Sequence, residues 1–327
     1  MGDYHVESPQ RLEAVYQMIE DEIKFPYLFI KPRAAKEEEI GLIHTPSYVQ
    51  KIKETSSRER VVLDPDTSTS AQSYRVALLA AGGILETVDK IMEGKIQNAF
   101  ALIRPPGHHA EASRAMGFCL FNNVAIGAQY LLERYNQKRI LIVDWDLHHG
   151  NGTQHSFEQS PNVLYFSTHQ HPHYPGTGDS SEIGQNSGEG FTVNVPLSPG
   201  KTDEDYLYIY RNILSPISEQ YQPDFILVSA GFDTFEQDPL GGMKVTSRGF
   251  GALTQELMDL SQKICGGKIL AVLEGGYHLR GLREGVKEVL THLGAQGPRT
   301  ETSIQSSPQR EKELSPFMET YRKYWNL

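Results

Sequence analysis

Asp144, Asp146 and His148 occupy alternate positions in ILIVDWDLHHGNG, residues 140–152. Side chains two apart in an extended chain point the same way. Four apolar residues, Ile140 to Val143, therefore read as a buried strand whose end presents three polar groups to one spot. Two carboxylates and an imidazole converging there repel one another unless a cation lies between them, and their oxygen and nitrogen donors suit a divalent metal such as zinc. A lone Asp-x-Asp is better read as a cap for a following helix. Three further polar clusters after apolar runs tip the balance: His108 and His109 after residues 99–103, Gly231-Phe232-Asp233 after 225–229, and Glu274-Gly275-Gly276-Tyr277 after 269–273.

A catalytic zinc keeps an open position beside about three protein ligands. Asp146, His148 and Asp233 supply that set. A metal there lowers the pKa of a bound water to about 7 and polarises a carbonyl. A histidine pair is suited to take the water's proton and return one to the leaving group, and a tyrosine hydroxyl can donate to a developing oxyanion. The set fits metal-assisted amide hydrolysis. Taken singly, each group has a plainer reading: loop histidines, an aspartate helix cap, a tyrosine closing a turn. Cys119 reads as a small buried hydrophobe, and His155, His169, His171 and His173 as surface or core residues.

The elements that must position these groups alternate between strand and helix. Strands are expected at 99–103, 140–143, 163–167, 192–195, 225–229 and 269–273, with helices at 71–92, 124–134, 153–157, 204–218, 247–264 and 279–293. That alternation predicts a parallel sheet with helices on both faces, where ligands bind beyond the carboxyl ends of the strands. Residues 37–43 read as a short strand and 58–69 as a loop. The polar stretch 294–314 reads as a linker or exposed tail, and 316–327 as a helix that docks back.

The 327 residues suffice for a large core, and 39% hydrophobic content excludes a disordered chain. No apolar run approaches the ~18 residues of a membrane span, and no secretory signal pattern opens the chain. Two cysteines make no disulfide framework and fit a reducing compartment, so a cytoplasmic location is expected. The net charge of −10 argues against nucleic-acid binding and is compatible with a cationic substrate.

The motifs taken together resemble the histone deacetylase and acetylpolyamine amidohydrolase superfamily, in its class II-like branch. They are His5-x-Glu7-Ser8-Pro9-x-Arg11-Leu12, Arg104-Pro105-Pro106-Gly107-His108-His109-Ala110, Gly117-Phe118-Cys119-x-Phe121-Asn122-Asn123, Asp144-x-Asp146-x-His148-His149-Gly150-Asn151-Gly152, Pro175-Gly176-Thr177-Gly178, Gly231-Phe232-Asp233 and Glu274-Gly275-Gly276-Tyr277. The resemblance implies an arginase-like three-layer α/β fold with a mostly parallel eight-stranded sheet, or that sheet without its first edge strand, and a catalytic domain over 1–295 followed by a polar linker and short segment over 296–327. It implies one zinc on Asp146, His148 and Asp233, and His109 as general acid and base. His108 would be its electrostatic partner held by Asp144, and Tyr277 would polarise the acetyl carbonyl. Gly117, Phe118 and Tyr174 would line an acyl-lysine tunnel with Leu240 at its gate. A structural potassium would lie near Asp144, Asp146, His148, Ser167 and Thr168, and Arg11 would line an internal cavity.

Three departures stand out. Asn151 replaces the aspartate of class I enzymes, the strand that usually opens the fold is absent before His5, and Tyr277 stands where class IIa vertebrate enzymes carry histidine. The expected function is removal of acetyl groups from lysine side chains of proteins or peptides, with an acetylpolyamine amidohydrolase as the alternative. A ureohydrolase needs more metal-bridging carboxylates than follow Asp233. A non-catalytic acyl-lysine reader would lack a ligand or the tyrosine, and neither is missing.

Overall fold

The computed structural model describes residues 5–295, 297 and 308–327. In chain order the elements begin with helices α1 (Gln10–Glu22), α2 (Glu37–Ile40) and α3 (Pro46–Glu54). Strands β1 (Arg60–Asp64) and β2 (Thr67–Ser70), helix α4 (Ser73–Met92), strand β3 (Asn98–Ala101) and helix α5 (Asn123–Arg134) come next. Then follow β4 (Ile140–Asp144), α6 (Asn151–Phe157), β5 (Val163–Gln170), β6 (Thr192–Leu197), α7 (Asp203–Ile209), α8 (Ser215–Tyr221) and β7 (Phe225–Ala230). The chain closes with α9 (Ser247–Cys265), β8 (Ile269–Leu273), α10 (Leu279–Leu293) and α11 (Pro308–Tyr321). A π-helical turn, Tyr210–Leu214, joins α7 to α8 and splits the single helix expected there.

Six strands form one parallel sheet in the order β3-β8-β7-β4-β5-β6. The eight-stranded sheet is thus corrected to six among the described residues. β1 and β2 instead pair with each other, antiparallel, across Pro65 and Asp66, in place of the expected loop. Alternation along the strands divides the interior. Leu141, Val143, Phe166, Val193, Ile226 and Val228 face α1 and α7–α10, whereas Ile140, Ile142, Tyr165, Phe225 and Leu227 face α4 and α5. Both faces are buried, as a parallel sheet requires.

Chain direction across the sheet reverses at β4: β5 and β6 extend to one side, β7 and β8 to the other. Such a reversal leaves a crevice at the carboxyl ends of the two central strands. The register sets Asp144 opposite Ser167 of β5 and Ser229 of β7, so the polar residues after β4 enter that crevice.

Two expectations change. Residues 37–40 are helical, because Glu37, Glu38 and Glu39 fill a first turn, where carboxylates are favoured by the helix dipole. The expected tail is, from 308 onward, the helix α11, with Leu314 buried; residues 296 and 298–307 of that stretch lie outside the described residues. The Tyr321 hydroxyl donates to Asn194 O at 2.7 Å and accepts Asn194 N–H at 2.6 Å on the outer strand β6. The opposite outer strand, β3, borders a cavity of about 460 Å³ lined by Tyr16, Phe25, Leu28 and Phe100 among others. Among the described residues no helix is long and apolar enough to cross a membrane.

Candidate active site

Asp146, His148 and Asp233 are fully or almost fully buried, and their ligand atoms lie within 4.8 Å of one another. His148 Nδ1 is 3.1 Å from Asp146 Oδ1 and 3.1 Å from Asp233 Oδ2. Donors about 2.0 Å from a tetrahedral ion stand ~3.3 Å apart, so this spacing fits a small divalent metal. Two further observations agree. Asp233 Oδ2 is buried and, in spite of its nearness to His148, makes no hydrogen bond to the described residues. A Cβ added at Gly275 would meet that oxygen at 2.2 Å and Asp146 Oδ2 at 2.6 Å, so only glycine leaves the carboxylates room. Burial opposes a charge on His148, but the hydrogen bond to Asp146 and the carboxylate charges of Asp233 and Asp146 raise its pKa to about 10. The carboxylate pair draws in a cation, here a proton.

Beside this set the two histidines of the 104–110 motif differ in charge. His108 Nδ1 lies 3.1 Å from Asp144 Oδ2, and Glu274 Oε2 accepts the backbone N–H of Gly107 at 2.6 Å and of His108 at 3.2 Å. Burial disfavours a charge on His108, yet Asp146 and Asp144 outweigh it and raise its pKa to about 10. His109 is different. Its Nδ1 lies 2.8 Å from Asn151 Oδ1, and burial with the positive fields of His108 and His148 drives its pKa well below the ordinary value. One ring is a cation and its neighbour a neutral base, with centroids 4.0 Å apart.

The surrounding wall is aromatic. Tyr174 meets His109 edge to face at 5.1 Å and His148 at 6.1 Å, while Phe118 meets Tyr277 at 5.9 Å. Phe118 holds φ of 68°, uncommon for a bulky residue. Its backbone is tied down: Phe118 N–H donates to Thr67 Oγ1 and Gly117 N–H to Asp66 Oδ1, which is how the β1–β2 hairpin serves the site. A Cβ at Gly117 would strike the His109 ring at 2.2 Å. Tyr277 makes no hydrogen bond through its hydroxyl to the described residues. Burial raises its pKa well above normal, so the hydroxyl stays a proton donor. Arg11, fully buried, stacks over the Tyr277 ring at 5.0 Å and donates to the carbonyls of Gly276 at 2.7 Å and Glu274 at 2.6 Å.

The residues singled out from sequence thus come together, with two qualifications. Leu240 is half-buried on the loop after Asp233, its N–H donating to Asp238 Oδ1. Ser167 and Thr168 lie on β5 beside Asp144 of β4; the Ser167 hydroxyl is paired with His169 Nδ1, whereas Thr168 Oγ1 is buried and makes no hydrogen bond to the described residues. Sequence reasoning misses His173, which it places among surface or core residues and whose ring lies 5.1 Å from His148. Glu111, His155 and Asp238 are also missed. Glu111 follows the 104–110 motif directly, the one local signal available.

The pattern of the histone deacetylase domain matches residues 5–293, and the chain belongs to that family. It is 43% identical over 310 residues to histone deacetylase 15 of Arabidopsis thaliana, covering 93% of this chain and 55% of that protein. It is 40% identical over 307 residues to human polyamine deacetylase HDAC10, covering 90% and 45% respectively. A probable deacetylase of Archaeoglobus fulgidus is 40% identical over 280 residues, 85% of this chain and 77% of that one. The crystal structure of the HDA15 HD domain superposes with a TM-score of 0.92 at 39% identity, over 99% of this chain and 90% of that chain. The chain spans about half the length of the first two Arabidopsis relatives, 55% and 49%.

Proposed function

We propose that this chain is a zinc-dependent deacetylase that hydrolyses the acetyl amide of ε-acetyl-lysine in proteins or peptides. The observation that carries the reading is the meeting of the Asp146–His148–Asp233 set with a neutral His109 and a protonated Tyr277 in one aromatic-walled crevice. A zinc ion held by those three residues would supply Lewis-acid activation of water and of the amide carbonyl. His109 takes the proton of the attacking water and passes it to the leaving amine nitrogen, which departs neutral. His108, kept cationic by Asp146 and Asp144, stabilises negative charge developing on the acyl carbon's oxygens, and the Tyr277 hydroxyl donates a hydrogen bond to the carbonyl oxygen. Phe118 and Tyr174 pack the lysine methylenes.

The same proposal includes a structural potassium near Asp144, Asp146, His148, Ser167 and Thr168, supported by the unpartnered Thr168 hydroxyl. It takes residues up to 295 as the catalytic domain and places the protein in the cytoplasm.

The relatives include proteins named as polyamine deacetylases, which makes acetylated polyamine the second reading. Leu240 favours lysine, because a leucine cannot pair with a second substrate ammonium group. The test is zinc-loaded protein assayed side by side on acetyl-lysine peptides and N-acetylpolyamines, wild type against Leu240→Glu. We expect a peptide preference that shifts toward polyamines in the variant. Turnover of neither substrate class by the zinc-loaded wild type would end the deacetylase reading.

A further inference from the structure

Asn151 is a neutral partner for the catalytic base, and an amide does not by itself settle which way round it sits. Its Oδ1 can accept from His109 Nδ1–H, or the flipped amide can turn its NH2 toward that nitrogen. The choice decides the tautomer of His109 and hence which ring nitrogen carries the lone pair. The structure holds a second group that makes the choice. Glu111 Oε1 accepts from Asn151 Nδ2 at 2.5 Å and faces His155 Nδ1 at 2.9 Å. Flipping the amide would place Asn151 Oδ1 against a carboxylate oxygen at that distance, acceptor against acceptor. Burial pushes the Glu111 carboxyl up, but the hydrogen bond and charge of His155, the Asn151 amide and the charge of Arg114 hold it below the usual value. It remains an anion.

We propose that Glu111 is a positioning residue of the acid–base apparatus: acting through Asn151, it holds His109 as the Nδ1–H tautomer. The negative charge that a direct aspartate partner would place beside His109 is thereby moved one residue outward. The loop that carries Glu111 is itself anchored, since its carbonyl lies 3.0 Å from His44 Nδ1 and its N–H donates to Arg114 O at 2.9 Å. Asn151 opens α6, and its Nδ2 also reaches His109 O at 3.4 Å and Met116 Sδ at 3.5 Å; these longer contacts to neutral acceptors oppose a flip far less than the 2.5 Å bond to the Glu111 carboxylate. The inference rests on the reading of His109 as the acid–base group.

Three variants of the zinc-loaded chain test it: Glu111→Gln, Asn151→Asp, and both together. The glutamine of the first variant can present either its oxygen or its NH2 to the Asn151 amide, so that amide is released. We expect kcat to fall about 10- to 100-fold, as for other groups that orient a first partner, with KM within about twofold and zinc content unchanged. Asn151→Asp alone should also be impaired, because the new carboxylate and that of Glu111 would stand at hydrogen-bonding distance. The double variant should recover most of kcat, since its glutamine can donate to its aspartate, which in turn accepts from His109. Imidazole 15N NMR reads the tautomer directly and needs no turnover: a single Nδ1–H form in wild type and the double variant, a mixture in Glu111→Gln. A Glu111→Gln loss that Asn151→Asp does not rescue, or unchanged His109 nitrogen signals in Glu111→Gln, overturns the inference. If wild type turns over no acetylated substrate, the deacetylase reading fails and the nitrogen signals still decide the role of Glu111.

Discussion

The carboxylate of Asp238 accepts the backbone N–H of Tyr277 at 2.7 Å and of His278 at 3.0 Å, while its other oxygen accepts from Leu240 at 3.0 Å. One side chain therefore ties the loop that carries Asp233 and Leu240 to the loop that carries Tyr277. Three N–H groups converge on it, and only a carboxylate offers an acceptor on both oxygens. Burial and the charge of Asp233 nevertheless raise its pKa to about 7.

Asp238→Asn should therefore loosen Tyr277 without touching the metal ligands. One of the two acceptor oxygens becomes an NH2 that faces N–H groups. We expect kcat to fall on the order of 10- to 100-fold, the scale of a small misplacement near the chemistry, with zinc content retained. Steady-state kinetics and metal analysis on one preparation decide it; unchanged kcat would show that Tyr277 is held by other means.

Tyr277→Phe removes the donor itself. A contact made most strongly in the transition state affects kcat more than ground-state binding, and loss of an oxyanion donor costs on the order of 10²–10³ in kcat. Zinc content and melting temperature should stay close to wild type. A near-normal kcat with zinc retained would remove Tyr277 from the reaction.

Loading the metal should release a proton. His148, its pKa raised to about 10 by Asp146 and Asp233, carries that proton at neutral pH and must lose it to become a ligand. Titration calorimetry with zinc in two buffers of different ionisation enthalpy should show release of about one proton per chain near pH 7. Affinity should weaken as pH falls, because protons then compete better. Heats independent of the buffer would contradict the proposed ligand set.

Stability has its own pH window. Burial lowers the His44 pKa from 6.5 to about 4; its ring takes the Asn122 N–H at 2.9 Å and meets the Glu111 carbonyl at 3.0 Å as a neutral group. The unfolded chain binds the proton first, so this contribution is complete above 6.5 and is lost as pH falls toward 4. At about pH 5 the loss amounts to about 2 kcal/mol. Denaturant unfolding at about pH 7 and about pH 5 should show a drop that is smaller by roughly this amount in His44→Gln. Equal drops in the two proteins would refute the assignment.

Much of this architecture is legible in the sequence because the chemistry sits where a local pattern changes. The apolar runs of β4, β7 and β8 end in Asp144, Ala230 and Leu273, and each is followed at once by motif residues. The sheet's width is legible too: the six apolar runs are its six strands, and the count of eight comes from the resemblance rather than from any pattern. The hairpin of residues 60–70 is not legible, because Pro65 and Asp66 with the polar Thr67–Ser70 read as loop. Residues 37–40 mislead for another reason: a one-turn helix is too short to show its period. The polar composition of 308–321 hides the few contacts, at Leu314 and Tyr321, that dock it. Glu111 and Asp238 act across separations of 40 and 39 residues, through hydrogen bonds that no periodicity encodes.

The Tyr321 hydroxyl gives to and takes from the same residue of β6, as the peptide group of a neighbouring strand would. A bare outer strand is a template on which another chain can pair. With that place filled by one phenol from α11, the backbone of Asn194 is not open to pair with another chain. The two flanks of the sheet are thus unequal: one is closed by a side chain from a helix distant in sequence, and the other meets an apolar hollow beside β3.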